Sequence, residues 1–187
     1  MYDIILASNS PRRQSLFSLI TNDFRVIIKS ADESGYNHLP VEQRVVKLAE
    51  IKCLAVAEDN PDSVVIGSDT LVELSGEVFG KPMDSADASR TLKVLSGNTH
   101  NVYTGVYISL PGERFGFSCL TEVTFRDMDV SEISGYIASG EPFDKAGSYG
   151  IQGIAARYIE HIKGDYFNVL GLPVSRLYSE LKCRDIV

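Results

Sequence analysis

Two long β-rich runs, residues 101–110 and 115–125, flank Pro111-Gly112, and this pair restricts the possible folds more than any other feature of the chain. A Pro-Gly step favours a turn over helix or strand, so the runs read as a long antiparallel pair. Elsewhere the pattern alternates between strand and helix. Residues 2–7 form a buried strand, and Ser10-Pro11 supplies the N-cap and first position of a helix running to about residue 20. Residues 24–28 are β-rich, and residues 40–58 have helical spacing with Val45, Leu48, Ala49, Ala55 and Val56 on one face. A strand is expected over 63–67, a hairpin over 71–74 and 77–79 about Ser75-Gly76, and a helix capped by Asp84 or Ser85 that closes near Gly97 with Leu92 and Leu95 inward. Asp129 and Glu132 have capping-box spacing for a helix ending at Gly140. A glycine-rich loop, a strand over 157–162 and a last helix from Pro173 to Leu181 complete the series. Hairpins together with strand–helix–strand crossovers imply an α/β or α+β protein with a mixed sheet.

No Pro/Gly/Ser-rich or charged run suggests a linker in the 187 residues, so a single domain over 1–187 is expected. At 44% hydrophobic residues the chain can bury a core without disulfides or structural metal. Cys53, Cys119 and Cys183 are odd in number and form no CxxC pair, which fits reduced thiols in a reducing compartment. His38, His100 and His161 show no metal-ligand spacing. The opening MYDIILASNSPRR has no basic residue before its short apolar run, so it reads as neither signal peptide nor anchor. No stretch approaches the roughly 20 apolar residues of a bilayer span. The expectation is a cytoplasmic protein without a membrane partner. A net charge of -7 disfavours a nucleic-acid surface and leaves room for a small anion in a local basic pocket.

Several segments have the makings of such a pocket. Ser8-Asn9-Ser10-Pro11-Arg12-Arg13 places hydroxyls, free backbone N–H groups and two guanidiniums at a helix start after a strand, a phosphate-binding geometry; its plainer reading is a Ser-Pro cap with two solvated arginines. Asp69 in Gly67-Ser68-Asp69-Thr70 falls where an apolar strand is expected to end, a position from which a carboxylate can hold Mg²⁺ or orient a water. A turn-forming aspartate is the alternative. Glu33 could add a second carboxylate, although Asp32-Glu33 by itself reads as a solvated loop. Gly80-Lys81-Pro82 is no P-loop, since Pro82 stands where Ser or Thr is needed, yet Lys81 can still act as a point charge on phosphate. Lys52 lies four residues from both Leu48 and Val56 on the apolar side of its helix; the pattern alone favours an ammonium that snorkels out past the core over one paired with an anion. In residues 140–153, four glycines permit close backbone approach, Asp144 and Lys145 are charged, and the Gln152 amide can both donate and accept, which suits the edge of a uracil or thymine ring. A structural turn cluster is the competing reading. No GxSxG, HExxH or GxGxxG motif occurs.

In order along the chain, LASNSPRR, SDT, GKP, LSGNTHNVYTGV, EPFDKAGSYGIQG and GDYFNVLGLP resemble the Maf family of nucleotide pyrophosphatases from Ile4 to Leu181. The resemblance implies a Maf/ITPase-like fold, a twisted mixed sheet flanked by helices with a central substrate cleft, commonly as a homodimer. It implies hydrolysis between the α and β phosphates. The Tyr-Gly-Ile-Gln-Gly form at 149–153 resembles the subgroup acting on dTTP and UTP rather than the sister subgroup acting on 7-methyl-GTP. By position, Asp69 matches the family's proton acceptor, and Arg12, Thr70 and Gln152 match specificity-linked positions. Ser8, Arg13, Glu33, Lys52, Lys81, Asp144 and Lys145 match positions lining the family's cleft. Ser68 and Asn98 differ from the residues expected beside the motifs.

The expected mechanism has Glu33 and Asp69 hold Mg²⁺ or Mn²⁺ while water attacks the α phosphorus in line with departing pyrophosphate, and Arg12, Arg13, Lys52 and Lys81 neutralise charge. Asp69 is assigned both as base and as metal ligand. The rivals are the same chemistry on 7-methyl-GTP, a regulator of septum formation that senses nucleotides without turnover, and, last, a nucleic-acid-binding module.

Overall fold

A computed structural model describes residues 2–187. The buried strand β1 (Ile4–Leu6) leads into α1 (Pro11–Phe17), where the Ser10 hydroxyl accepts from Arg13 N at 3.4 Å and caps the first turn. The helix closes at Phe17, short of residue 20, because Leu19 and Ile20 donate to the carbonyls of Leu16 and Phe17 and tighten the last turn. After β2 (Arg25–Val26) comes the long helix α2 (Val41–Ala57), with Val45, Leu48, Ala49, Cys53 and Val56 buried. Ala55 is only partly buried while Cys53 and Ala57 are buried, so the apolar stripe is rotated from the face the spacing suggested.

The largest difference from the sequence reading is β3 (Val64–Leu74). Its 11 residues run straight through Gly67-Ser68-Asp69-Thr70, where an end had been expected, so Asp69 stands inside a strand. The polar triplet remains extended because its side chains find partners: the Ser68 hydroxyl donates to Gly171 O at 3.0 Å, Asp69 pairs with Lys52, and Thr70 meets Thr104. β4 (Glu77–Phe79) returns through Ser75-Gly76, both at positive φ, 53° and 87°, as a two-residue hairpin requires. Then follow α3 (Ser85–Leu95), capped by Asp84, and the hairpin of β5 (Thr99–Leu110) and β6 (Glu113–Phe125). The expected capping box opens α4 (Val130–Ala138), with Asp129 and Glu132 bonding reciprocally. Three short 3₁₀ turns follow, Glu141–Asp144, Ala146–Ser148 and Ile154–Tyr158. The next strand, β7 (Ile159–Lys163), starts two residues later than expected because the turn Ile154–Tyr158 precedes it. A short helix α5 (Tyr166–Val169) was not foreseen, and Pro173 precedes α6 (Val174–Lys182) as its N-cap rather than its first position.

The sheet has seven strands in the order β2-β1-β3-β5-β6-β7, with β4 paired to β3. It is mixed, as expected: β1 runs parallel to β2 and β3, whereas β3–β4 and β6–β7 are antiparallel. The chain divides into two compact units, one of Met1–Thr70, Thr104–Cys119 and Gly171–Val187, the other of Leu71–Tyr103 and Leu120–Leu170. In the first, α2 packs on the sheet through Ile5, Ala7, Cys53, Val56, Ala57 and Val65. Gly67 allows that approach, since a Cβ there would lie 2.3 Å from Ala49 O. In the second, Leu92 and Leu95 of α3, Ile133 and Tyr136 of α4, and Phe125, Tyr149 and Tyr158 form the core.

Candidate functional site

Within the first unit, one cation draws two carboxylates together. Lys52 Nζ lies 2.6 Å from Asp69 Oδ1 and 3.0 Å from Glu33 Oε2. The helical pattern of α2 had favoured an ammonium snorkelling past the core. Instead β3 presents Asp69 to it, and pairing offsets the desolvation that either charge would suffer alone. The Asp69 side chain is 13% exposed and that of Glu33 47%, so Asp69 forms the enclosed side of the group and Glu33 the open side.

A second cluster surrounds Arg13. Its Nε donates to Gly171 O at 2.8 Å and its Nη2 to Thr70 Oγ1 at 3.0 Å, while the Thr70 and Thr104 hydroxyls are 2.9 Å apart. Gly171, at φ 105°, allows this because a Cβ would meet Arg13 Nε at 3.2 Å and Thr70 Oγ1 at 3.3 Å. Burial lowers the pKa of the Arg13 guanidinium, with the charge of Asp69 opposing the shift, yet an arginine stays ionised at neutral pH. Arg13 is therefore a braced charge rather than the solvated arginine of the plainer reading. Arg12 is partly buried, and Ser8 is buried with its hydroxyl accepting from Ser10 N at 3.3 Å. The first unit thus holds Ser8, Arg12, Arg13, Glu33, Lys52, Asp69 and Thr70.

Lys81, Asp144, Lys145 and Gln152 belong to the second unit. Lys81 is exposed and forms no ion pair among the described residues. Lys145 Nζ donates to Glu141 O and to Asp144 Oδ1, each at 2.6 Å. A Cβ on Gly150 would stand 2.7 Å from Lys145 Cε, so glycine there lets the lysine stem cross its own loop. The loop is anchored from the core by Tyr149, whose hydroxyl lies 2.8 Å from His100 Nε2. Sequence reasoning missed Thr104, Gly171, Glu141 and Tyr136 as supports. Thr104, Gly171 and Glu141 stand inside recognised motifs, but neither spacing nor residue type announces a supporting role.

Glu33 and Asp69 suit a divalent cation. Such an ion prefers hard oxygen ligands, and Mg²⁺ commonly takes only one or two protein carboxylates, leaving the rest of its shell to water and substrate phosphate. The two carboxylates already converge on one positive charge, that of Lys52. Among the described residues no group of three or more His, Cys, Asp or Glu gathers that could hold a metal by itself. No helix among them is long and apolar enough to cross a membrane.

A family model described as Maf-like protein matches residues 3–184. Proteins of Bacillus cereus (strain ZK / E33L) and Bacillus anthracis, both named dTTP/UTP pyrophosphatase, are 47% identical to this chain over 182 residues, covering 97% of it and 95% of theirs. Among solved structures, the Staphylococcus aureus Ham1 protein superposes with a TM-score of 0.57 at 19% identity, covering 97% of this chain and 99% of that one. A HAM1 protein from Coxiella burnetii gives 0.57 at 13% identity with the same coverage. At such identities the likeness to these structures concerns the fold alone.

Proposed function

The chain belongs to the Maf family, and from that membership we propose that it is a nucleoside triphosphate pyrophosphatase which hydrolyses dTTP and UTP to the monophosphate and pyrophosphate. The observation that carries this reading is the near full-length similarity to proteins of that name. The pairing of Asp69 and Glu33 about Lys52 supports it at the level of the site.

Asp69 accepts the proton of the attacking water, whose oxygen bonds to the α phosphorus as the bond to the α–β bridging oxygen breaks and pyrophosphate departs. Glu33 and Asp69 would hold Mg²⁺ or Mn²⁺, which when bound draws charge from the phosphate oxygens. Arg12, Arg13, Lys52, Lys81 and Lys145 neutralise the triphosphate, and Ser8 donates to it; one well-aimed donor is typically worth about 3 kcal/mol in the transition state. Arg12, Thr70 and Gln152 set specificity, with the Gln152 amide reading the donor and acceptor edge of the pyrimidine. Asp144 orients Lys145, a role supported by their ion pair. Three cysteines that form no disulfide among the described residues fit a cytoplasmic enzyme. The proposal includes the whole chain acting as one functional domain, in a homodimer.

The purified protein is to be incubated with dTTP, UTP, CTP, dATP, GTP and 7-methyl-GTP and either metal, with Asp69→Asn as control. Pyrophosphate and monophosphate should appear from dTTP and UTP and fall by about 10² or more in the control. Release from 7-methyl-GTP alone would assign the sister activity, and nucleotide binding without release would make the protein a sensor.

A further inference from the structure

The turn that carries Gln152 is held at both ends by a single carboxylate. Tyr136, fully buried in α4, accepts from Gly150 N at 3.2 Å and donates its own proton to Glu141 Oε1 at 3.0 Å. The other oxygen, Oε2, accepts from Ile154 N at 2.9 Å. Gly153, at φ 128°, makes room for this, because a Cβ there would stand 2.8 Å from Glu141 Oε2 and 2.9 Å from Oε1. Burial, and then the bond to Glu141, push the Tyr136 phenol upward, so it keeps the proton it donates. Gln152 lies two residues from each pinned amide, and its own side chain is exposed and makes no hydrogen bond among the described residues. A free amide on a fixed backbone is what discrimination by hydrogen bonding requires, since an ångström of slack lets the wrong base make the same bonds.

We propose that Glu141, acting directly on Ile154 and through Tyr136 on Gly150, is the positioning residue for base selection, holding the 150–154 turn so that Gln152 meets a pyrimidine edge in one orientation. The inference rests on the reading of Gln152 as the residue that recognises the base. An ionised carboxylate suits the task because it accepts from both donors at once, whereas the single carbonyl oxygen of a glutamine leaves one of them unmatched.

The test measures kcat/KM for UTP against CTP and GTP in the full-length protein, in Glu141→Gln, in Gln152→Ala and in the double variant. Glu141→Gln should lower the UTP preference about five- to tenfold, as expected for one mismatched hydrogen bond to a charged acceptor, with the loss carried by KM rather than kcat. In the Gln152→Ala background the same change should alter the preference no further, because the residue it positions is gone. An unchanged preference in Glu141→Gln, beside a lowered one in Gln152→Ala, would overturn the positioning role and leave the reading of Gln152 standing. An unchanged preference in Gln152→Ala would overturn both, and equal losses in the two backgrounds would show that Glu141 acts elsewhere. If Glu141→Gln does not fold, Tyr136→Phe removes only the Gly150 arm and should shift the preference in the same direction by a smaller factor.

Discussion

His100 sits in the core of the second unit with Nε2 against the Tyr149 hydroxyl and no hydrogen-bond partner for Nδ1 among the described residues, whereas His38 and His161 are exposed. Burial lowers its pKa from 6.5 to about 4. Between those values the unfolded chain takes up a proton that the native chain refuses, so stability is complete above pH 6.5 and falls as the pH drops toward 4. The loss amounts to about 3 kcal/mol, at 1.36 kcal/mol per pKa unit. Urea midpoints at pH 7 and 4.5 should therefore differ markedly more in the natural protein than in His100→Asn, and equal differences would remove His100 as the source. His100 stands in a motif but just outside the β-rich run expected over 101–110, so the sequence carried no sign of its burial. Asp69 was legible in the sequence as a candidate carboxylate, but the residues that surround it were not. The convergence of Glu33 and Asp69 on Lys52 joins residues 19 and 17 positions apart in fold rather than in pattern, and helical spacing alone points Lys52 the other way.

Elements were legible wherever periodicity and punctuation agreed. The Ser10-Pro11 start, the Asp129 capping box and the Ser75-Gly76 hairpin all stand where local chemistry put them. The missed strand continuity at 67–70 has a physical cause: extended polar residues look like a loop until partners from distant segments satisfy them. Two glycines make the packing testable with opposite signs. A Cβ on Gly67 of β3 would lie 2.3 Å from Ala49 O and 2.9 Å from Cys53 Cβ, so Gly67→Ala must push α2 off the sheet and should cost about 2 kcal/mol or more by urea denaturation. Gly135, in the middle of α4, has nothing within 4 Å of its would-be Cβ. Gly135→Ala should stabilise by about 0.5–1 kcal/mol, and a loss at Gly135 or none at Gly67 would contradict this account of the two helices.

Across the whole molecule, the order of hairpins and crossovers supplied the class and the mixed sheet, but it could not reveal two units. Three of the four crossings between them fall inside strands, between Thr70 and Leu71 in β3, Tyr103 and Thr104 in β5, and Cys119 and Leu120 in β6, and the fourth passes directly from Leu170 to Gly171, so no linker marks the change. The first unit also needs its last segment, Gly171–Val187, which brings the fully buried Leu177 and Leu181 of α6. A chain stopped after Leu170 should lose protection from proteolysis in residues 2–70, and a truncated protein that keeps it would show that α6 is dispensable there. This arrangement imposes an order on biosynthesis. The second unit draws on nothing beyond Leu170, whereas the first has segments on both sides of it in sequence and cannot close until α6 is made. The carboxylates and arginines of residues 2–70 are therefore synthesised before the whole of the second unit, and the helix that completes their own unit only after it.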